Sequence, residues 1–419
     1  MNIHRQSIGL ALLLSAVGLC HAEEPPATWP QWRGPTRDGR VSPGKWPDVI
    51  SGEALRKSWR LDDLGPSYSG PIVADDRVFT TETVNKKIER VRCLDRRTGK
   101  EIWRKEWSGT LTVPFFAARN GAWIRATPAC DGKSVYVAGI QDVLVCLDAK
   151  DGTERWRFDF VAEFKTPVPA FGFVCSPLVD EKTVIVQAGA AVVRLDKKTG
   201  KKLWKTLDDG GGMFGSAFSS PIFATIAGRE QLLVQTRQKL AGVDLDKGEV
   251  LWSKPIPADR GMNILTPMVM GDSIFTSSYG GGSRAIAVTR SSDGKWESNE
   301  SWAIKYQGYM TSPIIHEGHA YFLGRDRRFI CLELKTGKEM WQSEKRFGEY
   351  CSLVANNDRI LALDMNGQLI LLQANPKEFT LLDQTEVAKA ETWAHLAVCG
   401  SELYIRDLNG LTALHWKGK

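Results

Sequence analysis

The chain has 419 residues, with 55 basic and 49 acidic side chains and a formal net charge of +6. That surplus is small for such a length, and no stretch interleaves basic residues with stacking aromatics, which excludes a nucleic-acid footprint. Length alone suggests two or three domains, unless an internal repeat closes the chain into one.

Residues 1–22 read as a secretory signal peptide. Arg5 precedes an apolar run over residues 8–19 that is too short to span a bilayer, and Ala22 offers a small residue for cleavage before Glu23-Glu24-Pro25-Pro26. Cys20 would suit lipid attachment, but bulky Leu19 stands where such a signal wants a small residue, so cleavage after Ala22 is the expectation. No later segment is apolar for long enough to be a membrane helix, and the mature chain is expected to be periplasmic or secreted. Residues 23–53 form a lead-in segment, and residues 54–419 are expected to form one domain.

Within that domain one pattern recurs: Cys93-Leu94-Asp95 leads through Gly99 to Trp103, and Cys146-Leu147-Asp148 through Gly152 to Trp156. It returns as Leu195-Asp196 with Gly200 and Trp204, Val243-Asp244 with Gly248 and Trp252, and Leu332-Glu333 with Gly337 and Trp341, while a stretched copy runs through Asp293-Gly294 to Trp302. The spacing of acid, glycine and tryptophan is constant in the five close copies, and each residue type has a physical task. The acid can bond the amides of a turn, the glycine takes the left-handed conformation of a short hairpin, and the returning strand delivers an indole at a fixed depth.

A second signature precedes the copies: Ser69-Gly70-Pro71, Thr127-Pro128, Ser176-Pro177, Ser220-Pro221, Thr266-Pro267 and Ser312-Pro313. Two degenerate units follow, one around Ser352-Leu353 with the turn Asn366-Gly367, the other around His395-Leu396 with Asn409-Gly410. This makes eight units of roughly 40–55 residues, the period of propeller blades. The eighth unit runs out at Trp416, before an outer strand, and Leu55-Arg56-Lys57-Ser58-Trp59-Arg60 supplies one from the other end of the chain. The expected fold is all-β: an eight-bladed β-propeller of four-stranded antiparallel blades with tryptophan-docking motifs, its ring closed by an N-terminal strand and its helical content slight. Docking residues are Trp59, Trp103, Trp156, Trp204, Trp252, Trp302 and Trp341. Removing the signal peptide leaves seven cysteines, of which Cys93, Cys146 and Cys331 occupy one repeat position, so buried free thiols are expected in preference to a disulfide framework.

These residues resemble the PQQ-like, or quinoprotein alcohol dehydrogenase-like, propellers, and among them the non-enzymatic BamB-like branch. The resemblance extends over residues 55–416, and Trp29-Pro30-Gln31-Trp32-Arg33-Gly34-Pro35 with Arg37-Asp38-Gly39 also resembles the lead-in of bacterial PQQ-like proteins. It implies a monomeric, non-catalytic interaction scaffold of the bacterial cell envelope, with outer-membrane protein assembly as one setting and an envelope protein or extended peptide segment as partner. The alternatives are a PQQ-dependent dehydrogenase holding PQQ with calcium, and a propeller that binds glycan or peptide. No two cysteines are adjacent and there is no Cys-x-x-Cys-His motif, so the vicinal disulfide of the dehydrogenases and an attached haem both lack their residues.

His316 and His319 are three apart on an expected turn, where zinc would need further ligands, and Asp208-Asp209 before Gly210-Gly211-Gly212 lacks the alternating spacing of a calcium loop. No metal ligand and no catalytic residue is assigned. The candidate binding rim lies just ahead of the inner strands, at one mouth of the channel: Tyr68, Trp123, Arg125, Phe173, Phe218, Tyr309, Tyr350 and Trp393. Packing of blade corners is the simpler role for these aromatics, and anchoring of a ligand or partner is the functional one.

Overall fold

The recurrent hairpin folds as its residue types dictate. In the computed structural model, described for residues 27–41, 44–212, 215 and 217–416, Asp95 accepts from the Thr98 amide at 2.7 Å and from its hydroxyl at 2.6 Å. Gly99 closes that turn at φ +70°. Asp196 and Thr199 repeat the arrangement at 2.7 Å. The signal peptide expected over residues 1–22 lies outside the described residues.

Such hairpins build eight four-stranded antiparallel sheets, each ordered from an inner to an outer strand. Blade 1 consists of Ile72–Ala74, Arg77–Val84, Ile88–Asp95 and Glu101–Ser108. Blades 2 to 7 follow in chain order, and blade 8 takes Ala397–Cys399, Glu402–Asp407 and Gly410–Trp416 from the C-terminal end. Its outer strand is Leu55–Leu61, which pairs with Gly410–Trp416 so that Trp59 stands opposite Ala413. The eight-bladed ring and its N-terminal closing strand are therefore as the repeat predicts. Among the described residues helix is confined to short pieces, of which the α-helical one is Phe160–Phe164, capped by the Asp159 side chain.

Among the described residues tryptophans clasp one blade to the next at six of the eight junctions. The indole N–H of Trp103 donates to Ala149 O, that of Trp156 to Lys197 O and that of Trp204 to Leu245 O, at 2.9–3.1 Å, each acceptor lying in the following blade's hairpin. Trp302 and Trp341 do the same to Leu334 O and Asn375 O, and Trp59 closes the circle on Arg96 O. The indole also lies flat on the next hairpin's glycine: a Cβ on Gly152 would meet Trp103 at 2.5 Å, and one on Gly99 would meet Trp59 at 2.6 Å. Hence the glycine answers two demands, a left-handed backbone and room for a neighbour's ring. Trp252 departs from the pattern and donates to Gln231 Oε1 of its own blade, because the longer strands of blade 5, Gly282–Arg290 and Trp296–Ile304, carry that hairpin out of reach.

At the inner end, the Ser/Thr signature links blades through its hydroxyl. The amides of Gly70, Thr127 and Ser176 donate to the hydroxyls of Thr127, Ser176 and Ser220 in the following blade at 2.9–3.0 Å, and Thr266 N donates to Ser312 Oγ at 3.1 Å. Replacing these residues by apolar ones would leave buried amides without acceptors.

The lead-in crosses the channel. Trp29 exchanges backbone hydrogen bonds with Val73 of blade 1 at 2.8 and 2.9 Å, Pro30 O accepts from Cys130 N of blade 2, and Val41 N and Gly39 O bond Ala355 of blade 7. Between these points Arg33 donates to Pro313 O at 2.7 Å, and Arg37 donates to Pro177 O at 2.7 Å and Ser176 O at 3.1 Å. Both guanidiniums are buried, and backbone carbonyls leading into blades 3 and 6 take over part of their hydration, accepting from Nη atoms. Ile50 N and Ser51 N then bond the Asp383 carboxylate on the rim of blade 7 before the closing strand begins. Cys93, Cys146 and Cys331 each stand between an aromatic residue and the docking tryptophan of their own blade, and all seven described cysteines are buried and free.

Candidate functional site

The connections between blades carry their side chains to one mouth of the channel, where they form a cup of about 220 Å³. Six of the predicted rim residues line it: Tyr68, Arg125, Phe218, Tyr309, Tyr350 and Trp393. Trp32 of the lead-in lines it too, donating to Thr266 Oγ1 at 3.2 Å, so the segment that crosses the channel supplies the floor. The cup is blind. Hydroxyls of Ser176, Ser220, Thr266 and Ser312 reach its lower wall while their backbone links hold the blades together.

The rings support one another. Tyr350 stacks on Trp393 at 5.7 Å and 12°, Trp393 meets Tyr68 at 5.4 Å, and Trp123 stands edge-on behind Tyr68 at 5.2 Å. Trp123 thus buttresses the rim, lying under Gly121, and is not among the residues lining the cup. The Arg125 guanidinium lies 5.3 Å from the Tyr68 ring centre and donates to Gly121 O at 2.6 Å. Burial pushes the Tyr68 phenol up to about 12 and pulls Arg125 below the ordinary guanidinium value.

Phe173 corrects the sequence reading. It is 1% exposed and packs edge-on against Phe160 at 5.8 Å in the core between blades 2 and 3. The connection there is long, containing the helix Phe160–Phe164 and a turn in which Gly172 N donates to Pro169 O. That turn brings Phe171 into the cup instead, 5.5 Å from Phe218. Beyond it a ladder of rings leads outward, Phe171 to Phe116 at 6.3 Å and Phe116 to Phe115 at 5.6 Å. Phe115 is 91% exposed and Phe116 53%, on the short 3-10 helix Phe115–Asn120. Sequence reasoning missed both; the paired phenylalanines after Val113-Pro114, in a connection with no repeat position to fill, were the available signal.

The two metal candidates have other engagements. His316 and His319 face each other across a tight hairpin, with Arg40 Nη2 3.5 Å from His316 Nδ1, a cation where a metal would have to sit. Asp208 pairs with Lys205, and Asp209 accepts from Gly211 N at 3.0 Å. Among the described residues no three His, Cys, Asp or Glu side chains gather closely enough to hold a metal ion. Two carboxyls are buried deep between blades, Glu89 accepting from Ile140 N and Trp107 Nε1 at 2.7 Å, and Asp142 from Gly189 N at 2.7 Å. Burial raises each to about 7, against the pull of those donors.

A family model described as outer membrane protein assembly factor BamB matches residues 87–343. The chain belongs to that family. Outer membrane protein assembly factor BamB of Moranella endobia is 24% identical over 364 residues, covering 83% of this chain and 85% of that one. The quinohemoprotein alcohol dehydrogenase ADH IIB of Pseudomonas putida is 27% identical over 177 residues, 40% of this chain and 24% of the dehydrogenase. Among solved structures, BamB from Moraxella catarrhalis superposes with a TM-score of 0.63 at 14% identity, covering 86% of this chain and all of that one, so the propeller is shared. The described residues at the mouth fit PQQ with calcium poorly: among them the cup presents rings, aliphatic chains, hydroxyls and one guanidinium, and no carboxylate to ligate a hard cation.

Proposed function

We propose that this protein is a non-catalytic scaffold of the bacterial cell envelope that binds a protein partner of outer-membrane protein assembly at the mouth of its channel. The observation that carries this reading is the continuous aromatic surface running from exposed Phe115 through Phe116 and Phe171 into the cup. Exposed phenylalanines cost solubility unless something covers them, and rigid aromatic anchors around a pocket are what protein interfaces concentrate. Membership of the BamB family supports the setting, and a cup walled by rings with a guanidinium at its edge supports the binding of a protein segment.

Site-specific photo-crosslinking in envelope extracts tests it. A crosslinker at Phe115 is expected to trap a component of the outer-membrane assembly machinery, whereas one at Val250, exposed on the outer strand Val250–Pro255, should not. Equal yields at the two positions, or no adduct at Phe115, would remove the mouth as the binding face.

A further inference from the structure

Among the described residues Arg125 is the one charged side chain lining the cup, and it is half-buried there, unlike the fully buried Arg33, Arg37 and Arg406. Arg33 donates to two backbone carbonyls, Arg37 to two carbonyls and the Gln31 side chain, and Arg406 to the carbonyls of Gly65, Asp407 and Gly410. Arg125 has Gly121 O and the face of Tyr68 and no carboxylate partner among the described residues; its Nε lacks an acceptor, as do those of Arg33, Arg37 and Arg406. The nearby Glu391 carboxylate is held by Trp393 Nε1 at 2.7 Å. A half-buried guanidinium that faces a pocket, with one backbone acceptor and no carboxylate beside it, is a ready partner for an anion that enters there.

Shape narrows the choice of anion. The cup is large enough for one apolar side chain and its carboxylate, given that a cavity of ~150 Å³ holds benzene. Its floor is Trp32, and behind Trp32 the lead-in spans the channel from Val73 to Ala355. A polypeptide entering from the mouth has no way through, so the cup suits an end of a chain better than its middle. An end bearing negative charge is a carboxyl terminus.

We propose that the cup binds the C-terminal residue of a protein segment, its α-carboxylate on Arg125 and its apolar side chain against Phe218, Tyr350 and Trp393. The preceding residues leave across Phe171 and Phe116. This rests on the reading of the mouth as a protein-binding face and names the chemistry that face selects.

The test is fluorescence anisotropy with an N-terminally labelled decapeptide ending in phenylalanine, titrated with the whole protein. Saturable binding is expected, at least tenfold weaker for the C-terminal amide. Arg125→Gln should remove that discrimination by weakening the acid to the level of the amide, and Arg125→Lys should restore part of it. Equal binding of acid and amide by the unaltered protein overturns the proposal without any variant. So does an amidated peptide carrying an internal Asp that binds as tightly as the free terminus, or N-acetylphenylalanine alone matching the decapeptide. If acid and amide bind alike while the Phe115 crosslink persists, the carboxylate chemistry fails and the binding face stands. Loss of the crosslink as well sinks both.

Discussion

Tyr350 and Arg125 show that one rim holds two kinds of side chain. Tyr350 is 7% exposed and stacked on Trp393, so Tyr350→Ala removes a buried ring and should cost about 3–5 kcal/mol in urea unfolding. Arg125→Gln removes a poorly compensated charge, and its unfolding free energy should stay within about 0.5 kcal/mol of the parent or rise. A large loss at Arg125 would mean that the guanidinium is structural, like Arg33. Most of the rim was legible in the sequence because it sits within three residues of the Ser/Thr signature or its equivalent. Phe173 lies within that interval and still went to the core, since nearness to the signature ignores the length of the connection that delivers the residue.

Among the elements, the hairpin and the indole lying on it form one unit shared by two blades. Gly152→Ala meets both a φ of +75° and the Trp103 ring, so it should lower stability by roughly 2 kcal/mol or more, seen as a fall in denaturation midpoint at constant slope. Gly228, also at positive φ but with nothing near its missing Cβ, is the control that isolates the backbone cost. Deleting residues 55–61 removes the outer strand of blade 8 together with the Trp59 clasp on blade 1, and exposes the edge of Gly410–Trp416. Aggregation or loss of the single cooperative transition is expected in thermal scans, and a melt matching the intact protein would contradict the role of that strand. The closing strand was readable because Trp59-Arg60 repeats Trp103-Arg104. The tie of Trp252 to Gln231 was not, because it depends on how far a neighbouring hairpin has grown.

For the molecule as a whole, buried ionisable groups set a pH dependence. Glu89 and Asp142, each raised to about 7, keep a proton in the folded chain that the unfolded chain releases near its ordinary carboxylate value. Their contribution is therefore complete below about pH 4 and is lost as pH rises through 7. His395, buried beneath Trp29 and Trp32 and lowered to about 3, acts oppositely, since the unfolded imidazole binds its proton from about 6.5 downward. Two carboxyls outweigh one imidazole between those limits, so the urea midpoint should be higher at pH 5 than at pH 8, and Glu89→Gln should remove most of the difference, because the imidazole then nearly offsets the remaining carboxyl. The seven described cysteines, all buried, should ignore a thiol reagent in the native state and react once the chain is unfolded. By itself the sequence determined the fold, the hairpin chemistry and the closure of the ring, because an acid, a glycine and a tryptophan at fixed intervals are local constraints that repetition makes visible. Only the tertiary structure decided that the lead-in threads the channel on Arg33 and Arg37, that Trp32 floors the cup, and that Phe171 and Arg125 share its wall. Those contacts join residues far apart in the chain, and their partners are mainly backbone carbonyls and ring faces, which every sequence has and no motif records.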